Sequence, residues 1–165
     1  MTPACQQWAE HCVRNYPLAG DVLEIGSFDV CGNPRHHFAD RNRFPSYLGI
    51  DMRAGPCVDS VMNANELTFA DSSFGVVVNM EALEHDFYFW KTFAEMRRVV
   101  RVGGHVIVTT RSWNGFGPHD YPSDYWRFMD DGLVRLFREN GFDCLESSYA
   151  ENSSGIFAIA SKNGR

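Results

Sequence analysis

The sequence predicts an α/β domain with a mainly parallel sheet and helices on both faces. Short apolar strands alternate along the chain with helical segments, an order typical of parallel strands joined by helical crossovers. The chain has 165 residues, of which 44% are hydrophobic and 22% are charged, which is the size and composition of one folding unit. We therefore expect residues 1–165 to form a single domain.

The first half of the chain is predicted to hold one helix and four strands. Thr2 and Pro3 are typical of a helix start, and apolar residues then recur at three- and four-residue spacing up to Pro17. Residues 1–20 therefore read as a helical segment that packs on the sheet. Strands are predicted at 21–26, at 47–51, weakly around 58–62, and at the β-branched run 76–78.

The second half is predicted to hold two helices and three strands. The helices span 87–101 and 130–141, and the strands lie at 105–110, near 142–147 and near 156–160. Asp130 is the expected N-cap of the last helix, and Gly141 is expected to end it. The last two strands have no helix between them, so they can pair antiparallel. We expect a sheet of seven strands, or slightly fewer, with an antiparallel last strand.

Residues 112–130 show no clear period and are rich in glycine, proline and aromatic side chains. A loop of this length inside a compact domain is usually a lid or a binding loop. It follows the carboxyl end of a strand, where open α/β sheets bind their ligands. We predict a loop on the substrate side, although its aromatic rings could instead only seal the edge of the sheet.

The composition of the chain limits the partners that we expect it to bind and the cell compartment in which we expect it to lie. The net charge of −6 and the sequence pI near 5.4 argue against a basic groove for DNA, so nucleic acid stays open only through a local arginine patch. No apolar run is long enough for a bilayer and the N-terminus lacks a secretory pattern, so we expect a cytoplasmic protein without membrane contact. Zinc on Cys31, His36 and His37 is conceivable, but adjacent histidines rarely aim at one ion, and we predict no metal.

Acidic residues mark the ends of the first two predicted strands. Asp51 at the tip of the second strand is placed to accept hydrogen bonds from both hydroxyls of a ribose. A dinucleotide would also need a glycine-rich loop, but Phe28 stands where its second glycine should be and Asp29 adds negative charge. A cofactor with an amino-acid tail and no phosphates is more compatible with such a loop, because its ammonium can bind a carboxylate such as Glu24. This combination fits S-adenosylmethionine.

Several motifs carry a family resemblance. They are VLEIGS at 22–27, YLGIDM at 47–52, FGVVVNMEALEH at 74–85, RRVVRVGGHVIVTT at 97–110 and HDYPSDYWRF at 119–128. With them, residues 21–160 resemble the class I S-adenosylmethionine-dependent methyltransferases, in particular small bacterial and phage members. The resemblance implies a Rossmann-like fold and methyl transfer. The chain departs from the family at Phe28, at Asn63, where many members have Asp, and at Val102, where proline is usual.

The resemblance also implies a cofactor site. Its residues would be Glu24, Gly26 and Ser27 at the methionine end, Asp51 on the ribose, Met52 against the adenine, Asn63 and Ala64 at the adenine edge, and Asn79, Met80 and Glu81 beside the sulfonium. Without a charge, Asn63 would hold the adenine amino group less strongly than Asp.

Acceptor binding is assigned to the aromatic loop and its flanks. The candidate substrate residues are Arg111, Tyr121, Tyr125, Trp126 and Arg127, of which the two arginines could clamp an anionic acceptor. His85 and His119 are the candidate general bases, although His85 could equally bond to the backbone. Alignment contributes about 7–11 kcal/mol to such a reaction and a base about 10²–10⁴-fold, so the base is optional for an acceptor that is already ionised.

Three functions remain open from the sequence. We favour a methyltransferase that acts on a small-molecule acceptor, alone or as a homodimer. The chain has little room for a separate substrate domain, so the alternative is a non-catalytic or partner-dependent S-adenosylmethionine-binding module. A nicotinamide-dependent oxidoreductase ranks third, because the loop after the first predicted strand lacks the second glycine that binding of a dinucleotide requires.

Overall fold

The structure is a computed structural model that describes residues 2–114, 117–118, 123–150 and 154–164. Its strands are β1 (Val22–Ile25), β2 (Tyr47–Asp51), β3 (Ser60–Val61), β4 (Phe74–Met80), β5 (Val100–Arg111), β6 (Phe142–Tyr149) and β7 (Gly155–Lys162). Its helices are α1 (Pro3–Asn15), α2 (Phe89–Val99) and α3 (Asp130–Glu139), with short 3-10 helices at Pro34–Phe38 and Leu83–His85.

The seven strands form one sheet in the order β3-β2-β1-β4-β5-β7-β6. The pairs among β1 to β5 are parallel, whereas β7 runs antiparallel to both β5 and β6. This confirms the predicted mainly parallel sheet with an antiparallel last strand. The strand order reverses between β1 and β4, and in open α/β sheets a crevice for ligands lies at the carboxyl ends of such a pair.

Helices cover both faces of the sheet, as predicted. The central strands are apolar on both sides, because alternate residues of β1 and β4 enter two separate cores. One face packs on α1 and the 3-10 helix at Pro34–Phe38, through Trp8, Cys12 and Phe38 among others. The opposite face packs on α2 and α3, through Phe93, Met96 and Phe137 among others. No helix in the described part of the chain is long and apolar enough to cross a bilayer.

The starts of α3 and β5 differ from the prediction for reasons that the structure shows. Asp130 is the first residue of α3 and not its N-cap, which is Met129 and makes no side-chain cap. The backbone N–H of Asp130 instead donates to the hydroxyl of Tyr149, 2.9 Å away, so a contact distant in sequence replaces the local cap. Strand β5 begins at Val100 and continues past Gly103, whose φ of +74° accommodates an irregular register against β4.

Candidate functional site

A cavity of about 710 Å³ lies at the carboxyl ends of β1, β2 and β4. This volume is within the range of small-molecule sites, about 300–1,000 Å³. All ten residues predicted to bind the cofactor line it, namely Glu24, Gly26, Ser27, Asp51, Met52, Asn63, Ala64, Asn79, Met80 and Glu81. The structure therefore brings the set together at one place, and the role of each member stays a prediction.

Glu24 is a buried acid in the middle of an apolar strand, with only 1% of its surface exposed. The Asn33 side-chain amide donates to both carboxylate oxygens, at 3.0 and 2.9 Å, and the Tyr47 hydroxyl donates to one of them at 3.0 Å. Burial raises the pKa of Glu24 to about 7. The hydrogen bonds from Asn33 and Tyr47 and the charge of Arg35 act in the opposite direction, because they favour the ionised carboxylate. The carboxyl group can therefore gain or lose its proton near neutral pH.

Gly26 forms the sharp exit from β1. Its φ is +80°, a left-handed conformation that favours glycine. The N–H groups of Gly26 and Ser27 both donate to the carbonyl of Ile50, at 2.9 and 3.0 Å, which ties this turn to β2. A Cβ on residue 26 would lie 2.6 Å from the Cβ of Ala82. The turn is thus fixed against the exits of both neighbouring strands.

Replacing Gly26 with Ala is expected to lower the free energy of unfolding by about 1–3 kcal/mol, because the new side chain meets both an unfavourable φ and Ala82. Urea denaturation measures the change. Gly132→Ala is the matched control, since it lies in α3 with no heavy atom within 4 Å of the added Cβ, and we expect it to stabilise by about 0.5–1 kcal/mol. Equal stability of the two variants would contradict the role of Gly26.

Asp51 ends β2 on the wall of the cavity. One carboxylate oxygen accepts the N–H of Arg53 at 3.0 Å, and the other lies 3.4 Å from the N–H of Phe28. The Phe28 ring packs on the loop after β2, so closely that a Cβ on Gly55 would lie 2.1 Å from it. The guanidinium of Arg53 lies 4.8 Å from the centre of the same ring. The bulky residue in the first loop is therefore accommodated by the second loop.

Among the buried polar side-chain atoms of the cavity wall that have no hydrogen-bond partner in the described residues, two are oxygen atoms, Asn79 Oδ1 and Ser27 Oγ. Asn79 pairs with Ile25 across the sheet and is only 1% exposed. A buried polar atom without a partner costs about 1–3 kcal/mol, so a bound ligand that donates a hydrogen bond would recover this loss. The ammonium and ribose hydroxyls of S-adenosylmethionine are donors of this kind.

A cluster of charged side chains joins the tips of β4 and β5. Arg111 Nε lies 3.2 Å from the carboxylate of Glu81 and 3.8 Å from that of Glu84. Glu84 is completely buried and accepts a hydrogen bond from the Thr110 hydroxyl at 2.8 Å. Burial, and then the charge of Glu81, raises the pKa of Glu84 well above its ordinary value. Arg111 is thus held in place by an ion pair at the cavity wall.

The described part of the aromatic loop is fastened to the tip of β4. The backbone N–H groups of Tyr125 and Trp126 donate to the carbonyl of Glu84, at 2.8 and 3.2 Å. His85 Nδ1 is hydrogen-bonded to the carbonyl of Ser123. His85 and Tyr125 both line the cavity, and the assignment of residues 112–130 to a substrate-side loop stays a prediction.

Other predicted substrate residues lie elsewhere. Trp126 packs behind the wall, 5.3 Å from the ring of Phe89, and its indole N–H donates to the carbonyl of Asp86. Arg127 forms a double hydrogen bond with Asp124, at 2.5 Å for each nitrogen. Neither Trp126 nor Arg127 lines the cavity. His119 and Tyr121 lie outside the described residues.

The sequence did not single out several residues of the wall. Asn33 holds both oxygens of Glu24, and Phe87 and Tyr88 form part of the cavity mouth. The signal that could have found the two aromatic residues is the polar and aromatic run that follows β4, from residue 81 to 88. His37, considered for zinc, is hydrogen-bonded to Gln6, and no group of three metal-ligating side chains occurs among the residues that the structure describes.

Comparison with known proteins points to one family. Residues 28–108 match the model of a family described as a methyltransferase domain. A curated protein of Mycobacterium sp. (strain JLS), named an uncharacterized methyltransferase, is 27% identical over 148 residues that cover 82% of this chain and 57% of that protein. The chain thus spans little more than half the length of this relative.

Solved structures share the fold at low sequence identity. A chain of the complex between the Haloferax volcanii Trm112 methyltransferase activator and a methyltransferase superposes with a TM-score of 0.75 at 15% identity, covering 98% of this chain and 92% of that chain. The Burkholderia thailandensis 1,6-didemethyltoxoflavin-N1-methyltransferase, with bound 1,6-didemethyltoxoflavin and S-adenosylhomocysteine, also has a TM-score of 0.75 at 15% identity, covering 97% of this chain and 79% of that one.

Proposed function

From the match of residues 28–108 to a methyltransferase-domain model and from the methyltransferase relative, we propose that this chain is a class I S-adenosylmethionine-dependent methyltransferase. It would transfer the methyl group of S-adenosylmethionine to a small-molecule acceptor at the tips of β1, β2 and β4. The observation that carries the proposal is the convergence of all ten predicted cofactor residues on one cavity. S-adenosylmethionine supplies a methyl group on positively charged sulfur, which is already activated for displacement.

The wall of the cavity fits this cofactor in charge and in hydrogen bonding. We assign Asp51 to the ribose hydroxyls, since it stands at the tip of the strand next to β1. We assign Glu24 and Asn79 to the amino-acid end, where a carboxyl group and an unpartnered amide oxygen can accept from an ammonium. Glu81 also lies in the wall, where it is paired with Arg111.

The main contribution of the protein is alignment of the acceptor. Arg111 is fixed by Glu81, and Tyr125 is fixed by the bond from its N–H to Glu84, so the acceptor side of the cavity is preorganised. Positioning of this kind is worth about 7–11 kcal/mol.

We propose His85 as the residue that accepts a proton when the acceptor is a hydroxyl or an amine. Its Nδ1 meets the carbonyl of Ser123, which fixes the N–H on Nδ1 and leaves the basic lone pair on Nε2. Nε2 lies 3.9 Å from the buried carboxyl group of Glu84. His119 is the second candidate.

Formation of S-adenosylhomocysteine tests the proposal. The purified chain is incubated with methyl-labelled S-adenosylmethionine and a fractionated small-molecule extract, and labelled product is followed by mass spectrometry. We expect one small-molecule fraction to gain the label together with an equal amount of S-adenosylhomocysteine. Binding of the cofactor without label transfer to any fraction would favour the non-catalytic module.

A partner-dependent methyltransferase is the second candidate. It is supported by the Haloferax volcanii neighbour, which is held in a complex with an activator. The two candidates differ in one measurement. If a partner is required, label transfer appears only when the macromolecular fraction of the extract is restored, whereas a self-sufficient enzyme transfers the label without it.

A further inference from the structure

Three aromatic side chains form the mouth of the cavity: Phe87, Tyr88 and Tyr125. Each is 48% exposed. The ring of Phe87 lies 5.0 Å from that of Tyr88 and 5.3 Å from that of Tyr125, both in edge-to-face geometry. Contiguous exposed aromatic surface at the rim of a cavity marks a binding site for an apolar or aromatic group.

The charges that line the cavity are mostly negative. Its described wall contains four carboxyl groups, those of Glu24, Asp51, Glu81 and Asp86, and only two cationic side chains, Arg53 and Arg111. Arg111 is neutralised by Glu81 at 3.2 Å, and Arg53 lies over the ring of Phe28 beside β2. The sequence from 115 to 122 contains neither Lys nor Arg.

The cations nearest the aromatic mouth do not offset this excess. Arg127 is doubly bonded to Asp124 and lies outside the wall. The ammonium of Lys91 lies 4.9 Å from the centre of the Tyr88 ring, and Lys91 is also outside the wall. An acceptor with a carboxylate or phosphate would therefore enter a cavity in which the described carboxyl groups outnumber the cationic side chains.

We propose, on the basis of the function above, that the acceptor is a planar aromatic molecule without negative charge, whose ring packs against Phe87, Tyr88 and Tyr125. The aromatic mouth supplies the apolar contact, and the excess of carboxyl groups excludes anionic analogues. The pairing of Arg111 with Glu81 means that this arginine shapes the wall and does not clamp an anion.

Binding of matched naphthalene probes tests the proposal. We use 2-naphthol, which is neutral at pH 7.5, and 2-naphthoate, which has the same ring and a negative charge. The protein is first saturated with S-adenosylhomocysteine, and each Kd is measured by NMR titration. We expect 2-naphthol to bind at least tenfold more tightly than 2-naphthoate. Equal binding, preference for 2-naphthoate, or binding of neither probe would overturn the proposal.

Variants connect the preference to the named residues. Phe87→Leu and Tyr125→Ala are each expected to weaken 2-naphthol binding about fivefold, whereas Leu145→Ala, which changes an exposed apolar residue of β6 outside the wall, should leave it unchanged. Glu81→Gln should narrow the difference between the two probes, because it releases Arg111 from its ion pair. Unchanged binding in both aromatic variants would contradict the assignment.

The titration with S-adenosylhomocysteine keeps the two proposals distinguishable. If the cofactor product binds and the probe preference fails, only the acceptor class is wrong. If S-adenosylhomocysteine itself does not bind, the proposed function fails first.

Discussion

Replacing Asp51 with Asn is expected to weaken S-adenosylhomocysteine binding by about 10²-fold. The carboxylate can accept hydrogen bonds from two ribose hydroxyls, and bonds to a charged group contribute about 1.5–3 kcal/mol each. Asn offers one neutral acceptor in place of two charged ones, so a loss of nearly 3 kcal/mol is reasonable, and each 1.4 kcal/mol corresponds to about tenfold in Kd. Isothermal titration calorimetry measures the change directly.

The control for this variant is Asp131→Asn, which removes an exposed carboxylate from the first turn of α3, remote from the cavity. Asp51 also accepts backbone N–H groups of Arg53 and Phe28, so thermal denaturation must show that the Asp51 variant is folded at the temperature of titration. Wild-type affinity in a folded Asp51→Asn protein would remove Asp51 from the cofactor site.

The affinity for S-adenosylhomocysteine is expected to fall below pH 7, by about tenfold for each pH unit and about 10²-fold at pH 5. The pKa of Glu24 in the free protein is raised to about 7 by burial. Only the ionised carboxyl group attracts the ammonium of the ligand, so at acid pH binding must first remove a proton. Above pH 7 the carboxyl is already ionised and the affinity should be constant. Calorimetry between pH 5 and 8 measures this dependence.

The stability of the free protein should change in the opposite direction. The pKa of Glu24 is higher in the folded chain, at about 7, than its ordinary value of 4.5. The folded state therefore binds more protons than the unfolded state between these values, and this contribution to stability is complete below pH 4.5 and is lost as the pH rises to 7.

Glu24→Gln separates this residue from other groups that titrate in the same range. The variant cannot ionise, so both its affinity for S-adenosylhomocysteine and its free energy of unfolding should vary less with pH than those of the wild type. Denaturation by urea at several pH values gives the second quantity. A wild-type affinity that is flat from pH 5 to 8, or a variant that keeps the full pH dependence, would contradict the assignment of Glu24 to the ammonium.

Most of the fold was predictable because its signals are local. The β-branched run at 76–78 lies within β4, and the spacing of apolar residues identified α1 and α2. The differences arise where distant residues act. The start of α3 depends on the hydroxyl of Tyr149, and the extension of β5 to Val100 depends on its pairing with β4. The pattern of apolar residues in a short stretch of sequence cannot reveal such contacts, because their partners lie outside that stretch.

The candidate site was predictable on the cofactor side and less so on the acceptor side. Glu24 and Asp51 stand at neighbouring strand tips, and the topology of a parallel sheet brings such tips together. In contrast, the sequence alone cannot show that Arg111 and Arg127 are already paired with Glu81 and Asp124. Charge pairing is a property of the folded chain. It determines which methyl acceptors those arginines can bind.

A crystal structure of the protein with S-adenosylhomocysteine tests the account most directly. We predict that the ligand occupies the cavity at the tips of β1, β2 and β4, with its ribose hydroxyls within hydrogen-bond distance of Asp51 and its ammonium close to Glu24. A ligand bound elsewhere, or with its ribose and ammonium remote from both carboxyl groups, would contradict the central claim that this cavity is the cofactor site.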